Sequence, residues 1–266
     1  MSMNYTIAIA NEKGGVAKTT SAVSLAGALV EMGLRVLVVD LDPQSNLTLA
    51  LGHIPHKEEV TIANVLLNSE NIANAIIHTS IENLDLVPSN SELGVAERFL
   101  PVRKNYDAIL RNSLGGFLDF DYIILDCPPA LGAVTLNALT AANLLIIPTQ
   151  AEYFSAYALK NMMSAIRQVR GQNNPALIYR ILITMYDQRN RAHRTLKDQL
   201  ITTFGQDGLL KTIVEVDTKL RESPIIGIPI MNYVSSTRSS LQYRALAEEL
   251  IENVGEQEQK AFAQSA

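Results

Sequence analysis

Cysteine is almost absent from this 266-residue chain, where Cys127 stands alone. No disulfide can close within it, and a metal site built mainly on thiolates of one chain is excluded, which fits a reducing cytoplasm. Tryptophan is missing. Charged residues are only 18% and the formal net charge is −5, so the chain is not coated in basic surface for nucleic acid or acidic membranes. Any such binding has to come from a local patch. Long apolar runs are lacking too: none reaches 18 residues, and the opening stretch MSMNYTIAIANEKGG has no basic segment leading into a long apolar run and a cleavage site. The sequence therefore reads as a cytoplasmic protein without a membrane span or export signal. Four histidines, His53, His56, His78 and His193, show no metal-ligand spacing.

Hydrophobic residues make up 47% of the chain, enough for a sizeable core. Short β-branched runs alternate with helical patterns: Tyr5–Asn11 then Thr19–Met32, and Arg35–Leu41 then a loop. Further strands are expected at Leu84–Pro88, Tyr122–Asp126, Leu144–Pro148 and Leu177–Thr184. The alternation predicts an α/β fold with a doubly wound, mostly parallel sheet flanked by helices. Runs such as IAIA, VLVV and IIL are apolar at every position, as parallel strands covered on both faces require. Gly33 is placed to stop the first helix. No repeat or composition break divides residues 1–254, which read as one domain, and the polar tail 255–266 is expected to fray.

The chemistry concentrates in Asn11–Thr20. A phosphate-binding loop needs backbone N–H groups converging on phosphate oxygens, a helix N-terminus behind them, a lysine for the β/γ-phosphates and a hydroxyl for Mg²⁺. Gly14, Gly15, Val16, Ala17, Lys18, Thr19 and Thr20 supply these parts between a strand and an apolar-periodic helix. The strict pattern G-x-x-x-x-G-K-[ST] fails, because Glu12 and Ala17 occupy its glycine positions; what matches is K-G-G-V-x-K-T-T. Chance matching of its seven fixed positions, at roughly 6% each, is on the order of one in 10⁶ for a chain of this length. Ala17 fits without crowding the phosphates if its φ is negative. Lys13 lies across the loop from Lys18, and one triphosphate held by one chain rarely needs both. Magnesium takes oxygen ligands, and Asp40, Asp42 and Asp126 all follow at strand ends. Asp126, closing the apolar YIILD, stands where a carboxylate reaches Mg²⁺ directly or through water.

KGGVAKTT, VDLDPQSN (Val39–Asn46) and ILDCPP (Ile124–Pro129) together resemble the ParA/MinD group of deviant Walker ATPases, and within it the ParA-type partition proteins, from Thr6 to about Leu250. The resemblance implies ATP and Mg²⁺ as cofactors, a homodimer formed on ATP, and Lys13 crossing to the partner's nucleotide. It places Asp42 in a first switch that positions or activates the attacking water and leaves Asp40 as a carboxylate either on the metal side or behind the metal's ligands. Thr19 is the metal-binding hydroxyl, and Ile146–Ala151 with Glu152 belong to the dimer interface. Met185 and Pro229 fall in the base-contacting region. Lys219, with Arg221 and Arg238 nearby, falls at the DNA-contacting position. The family binds nonspecific DNA in its ATP state, associates with the nucleoid, and is stimulated by a ParB-like or other adaptor; its cargoes are plasmids, chromosomes or large bodies such as carboxysomes.

Three other readings compete. A MinD-like membrane switch needs a basic amphipathic last helix, whereas Ser239–Val254 carries Glu248, Glu249 and Glu252 on its polar face. An iron–sulfur reductase with this loop needs two cysteines per chain. A metabolic enzyme activating a small molecule needs an acceptor site, for which the sequence offers no separate constellation.

Overall fold

The computed structural model describes residues 4–115, 119–152 and 155–265. In chain order the elements are β1 (Tyr5–Ile9), α1 (Lys18–Glu31), β2 (Val36–Asp40), α2 (Asn46–Ala50), α3 (Ile62–Asn68), β3 (Ile77–His78), β4 (Leu84–Val87) and α4 (Leu93–Phe99). There follow α5 (Ile109–Leu114), β5 (Tyr122–Asp126), α6 (Ala133–Ala141), β6 (Leu144–Gln150), α7 (Ser155–Gln172), β7 (Ile178–Tyr186) and α8 (Arg191–Phe204). The chain ends with β8 (Leu209–Glu215), α9 (Lys219–Ile226), α10 (Ile230–Tyr233) and α11 (Arg238–Ser265).

The strands form one sheet in the order β3-β4-β2-β5-β1-β6-β7-β8. Every pairing is parallel except β3 with β4. Strand residues alternate faces, so Ile7 and Ile9 of β1 pack on one side with α1, α10 and α11, while Ala8 and Ala10 join the opposite layer with α3 to α7. This explains the runs apolar at every position: both faces are covered by helices. The strand order reverses about β1, and in open α/β sheets the crevice beyond the carboxyl ends of strands at such a point receives ligands.

Two edge strands escape the sequence expectations: the two-residue β3, and β8, whose LLKTIVE mixes exposed Lys211 with buried Leu210 and Val214. The last helix also differs from expectation. It does not stop near Val254 but runs on through Gly255 to Ser265, because the following Glu, Gln, Lys and Ala are good helix formers and no proline interrupts them. Among the described residues no helix is long and apolar enough to cross a membrane.

Candidate functional site

The loop between β1 and α1 is braced from several sides. Asn11 donates through Nδ2 to the Pro148 carbonyl (2.7 Å) and accepts from the Lys13 N–H through Oδ1 (2.9 Å). Thr184, on β7, donates its hydroxyl to the Val16 carbonyl (3.1 Å), and the Val16 side chain is buried, so this residue serves the loop through its backbone. Gly15 has φ +72° and Ala17 φ +66°. The Ala17 φ is positive, so the condition for an easy fit is not met: the backbone keeps the left-handed turn that glycine would adopt freely, and alanine bears its cost. Ala17 offers no side-chain cap and the first turn of α1 holds no acidic residue, which leaves its N–H groups and positive helix end to an anion.

Lys18 is buried and donates to the Lys13 carbonyl (3.2 Å). Burial lowers its pKa, while Asp126, Cys127 and Asp42 pull it back up. Lys13 does not reach Lys18's side of the loop. Its Nζ meets Glu152 Oε2 at 2.5 Å and Gln150 Oε1 at 3.2 Å, a half-buried contact beyond the end of β6. A cleft of about 480 Å³ opens over the loop. Gly14, Gly15, Ala17, Lys18, Thr19 and Thr20 form its floor, and Asp42, Asn46, Met185, Glu215, Leu220 and Arg221 stand among its walls. Met185 is held at φ +52° at the end of β7. Pro229 is not among these walls. It packs against Gly27 of α1, where a Cβ would lie 2.5 Å from the proline's own Cβ.

The three aspartates divide their work. Asp40 and Asp126 are register partners on β2 and β5, both fully buried. Asp40 accepts from the Asp42 N–H (3.0 Å) through Oδ1 and from the Thr48 N–H (2.9 Å) and hydroxyl (2.7 Å) through Oδ2. Burial raises its pKa to about 6, with the Thr48 and Asp42 hydrogen bonds opposing. Asp40 therefore anchors the loop that carries Asp42, the arrangement of a carboxylate that stands behind the metal's ligands. Asp42 accepts from the Gln44 N–H (2.9 Å) and borders the cleft. Asp126 is the opposite case: neither carboxylate oxygen has a partner of hydrogen-bond geometry, although the Thr19 hydroxyl and Lys18 lie near enough to pull its pKa down. Desolvation outweighs them, with Asp40 adding to it, and the pKa stands well above the usual range. A buried carboxylate without a partner beside a threonine hydroxyl fits a hard, oxygen-seeking cation. Among the described residues no three His, Cys, Asp or Glu side chains could hold a metal by themselves. Mg²⁺ needs no such cage, since it binds through one or two protein oxygens plus phosphates and waters.

The three cations assigned to DNA sit around the ends of β7 and β8, but two are engaged. Lys219 pairs with Glu222 (2.7 Å), Arg238 pairs with Glu215 (2.5 Å), and Arg221 borders the cleft. A denser cationic segment runs through the turn before α8 and its first two turns: Arg189, which pairs with Asp187 (3.0 Å), Arg191, Arg194 and Lys197. Glu215 joins the two groups, accepting from Gln188 Nε2 and pairing with Arg238. The signal in the sequence is plain, four cations in nine residues of an acidic chain.

A family model described as an AAA domain (AAA_31) matches residues 4–179. The sporulation initiation inhibitor protein Soj of Bacillus subtilis is 36% identical over 253 residues, covering 94% of this chain and 100% of that protein. The chromosome partitioning protein ParA of Caulobacter vibrioides is 34% identical over 264 residues, covering 96% and 97%. Among solved structures, cobyrinic acid a,c-diamide synthase from Mycobacterium smegmatis with bound ATP analog and magnesium superposes with a TM-score of 0.82 at 34% identity, covering 93% of this chain and 94% of that one. With a two-lysine phosphate loop, an unpartnered Asp126 and relatives matched over nearly their whole lengths, the chain belongs to the AAA_31 family and, within it, to the ParA-type ATPases.

Proposed function

We propose that this protein is an ATP-driven switch that dimerises around its nucleotide, binds nonspecific DNA in the ATP state, and positions or segregates a cargo on the nucleoid through a ParB-like or other adaptor. The observation that carries this reading is the placing of Lys13 away from the cleft floor that Lys18 serves. ATP fits the loop and Mg²⁺ fits the Thr19–Asp126 corner, where the metal supplies charge neutralisation for the phosphates. Lys18 and the loop amides hold phosphate, Asp42 orients the attacking water, and Met185 borders the base. Lys13 exchanges Glu152 and Gln150 for the second subunit's phosphates, so the γ-phosphate supplies the difference in affinity between monomer and dimer.

Lys18→Ala is expected to lose binding of a fluorescent ATP analogue. Lys13→Ala is expected to keep it but to remain a monomer by light scattering, and an ATP-dependent dimer of Lys13→Ala would remove the cross-interface role. For DNA, Arg189, Arg191, Arg194 and Lys197 join Lys219, Arg221 and Arg238 as the facing cations, doubled by symmetry against a dimer of formal charge 2 × (−5) = −10. Shift assays are expected to show ATP-dependent binding that falls steeply with salt. Equal affinity with and without ATP contradicts this.

A second reading, a ligase activating a small-molecule carboxylate, draws on the name of the M. smegmatis structure. It requires turnover to depend on an acceptor molecule, whereas the switch turns over slowly alone and faster with DNA and adaptor.

A further inference from the structure

Helix α4 and the turn that leads into it touch the two segments that follow Asp42 and Asp126. In that turn, four residues before α4, the Ser89 N–H donates to the Thr48 hydroxyl (3.1 Å) and the Ser89 carbonyl accepts from the Ser45 hydroxyl (3.0 Å), within the loop that Asp40 anchors and Asp42 opens. From its inner face, the Glu97 carboxylate accepts from the Ala133 N–H (2.7 Å) and the Val134 N–H (3.2 Å). These are the first residues of α6, reached from Asp126 through the two prolines Pro128 and Pro129. Glu97 lies so close to Gly132 that a Cβ there would displace it. A charged acceptor on a helix N-terminus couples α4 tightly to α6.

The outer face of the same helix exposes apolar side chains. Val95, Phe99 and Val102 follow at i, i+4 and i+7, the last in a 3₁₀ turn that continues α4, and are 43%, 56% and 81% exposed. Arg98, Arg103 and Lys104 are exposed beside them. Arg103 is tied to the Leu66 and Leu67 carbonyls, whereas Arg98 and Lys104 enter no ion pair among the described residues. An apolar stripe of about 10 Å, at 1.5 Å per residue, matches one face of a short helix.

We propose that this outer face docks an amphipathic helix of a partner protein whose polar face is acidic, and that the docking responds to nucleotide through Glu97 and through the Ser89 turn that leads into α4. The cations select acid, and the apolar stripe gives a helix anchors that a polyanion such as DNA would not use. The docking half stands on the surface alone; the nucleotide half rests on the switch reading above.

The test is a display library of amphipathic helices with Leu at i, i+4 and i+7 and the flanking positions varied over Glu, Lys and Ser, panned on the full chain with and without an ATP analogue. Glu-rich helices are expected to be enriched, and to bind about tenfold more weakly to Phe99→Asp and to Val102→Asp, the latter so exposed that folding is not in question. Lys-rich or absent enrichment, or binding to both variants as tight as to the parent, overturns the proposal. So does co-sedimentation with anionic vesicles that Phe99→Asp abolishes while no helix binds. Fluorescent-nucleotide binding is measured on the same samples. If the parent binds nucleotide but its affinity for the helix is the same with and without it, the coupling is overturned. If the parent binds no nucleotide, the switch reading fails while docking stands on its own result.

Discussion

Ala17 shows how much one backbone angle decides at this site. The loop turns through a left-handed residue just before α1, and an L-residue there costs roughly 1–2 kcal/mol, from which glycine would be spared at an entropic cost of roughly 0.5–1 kcal/mol. Ala17→Gly is therefore expected to leave the protein as stable or up to about 1 kcal/mol more stable in denaturant unfolding, and Ala17→Val to destabilise it by more than alanine does. A clear loss of stability in the glycine variant contradicts the assigned angle. The residue types in the loop announced phosphate binding. The φ of Ala17 was beyond the sequence, because the residue that normally signals a left-handed turn is missing there.

At the scale of elements, α2 and α9 meet at two glycines. Gly52 has φ +75° and Gly227 φ +81°, and a Cβ on Gly227 would lie 2.8 Å from the Gly52 Cα, which is backbone and cannot yield cheaply. Gly227→Ala combines left-handed strain with overpacking and is expected to cost on the order of 3 kcal/mol by chemical denaturation. Nucleotide affinity is expected to fall with it, since α2 and α9 both border the cleft. A loss below about 0.5 kcal/mol would show that the two helices do not constrain each other. Contacts of this kind separate what was legible from what was not. The central strands β1, β2 and β5 could be read because covering on both faces makes them apolar throughout. Edge strand β8 could not, because half of it faces solvent. The packing of Pro229 on Gly27 was not legible for a different reason: the two lie about 200 positions apart, and only the folded chain brings them together.

Across the whole molecule, α1 and α11 close one layer of the core, and the fully buried Tyr243 joins them by its hydroxyl to Ser21 (3.0 Å). Burial raises the phenol's pKa to about 12 from 10.0, the Ser21 hydrogen bond opposing. Between those values the unfolded chain ionises and the folded chain does not, so stability is complete below about pH 10 and falls as pH rises toward 12. Two pH units correspond to roughly 2–3 kcal/mol. Tyr243→Phe is expected to flatten the alkaline limb of a pH-dependent unfolding series by that order, and an unchanged limb would place the phenol outside the core.

Asp126 has a consequence for the protein's lifetime as well as its chemistry. A carboxylate kept from water without a partner makes the ligand-free chain the weaker form, and anything that satisfies it stabilises the fold by mass action. Copies short of nucleotide are then the ones that open most often and reach proteases first. Turnover of the polypeptide itself becomes a gauge of the energy supply, trimming the population to the copies that can be kept charged.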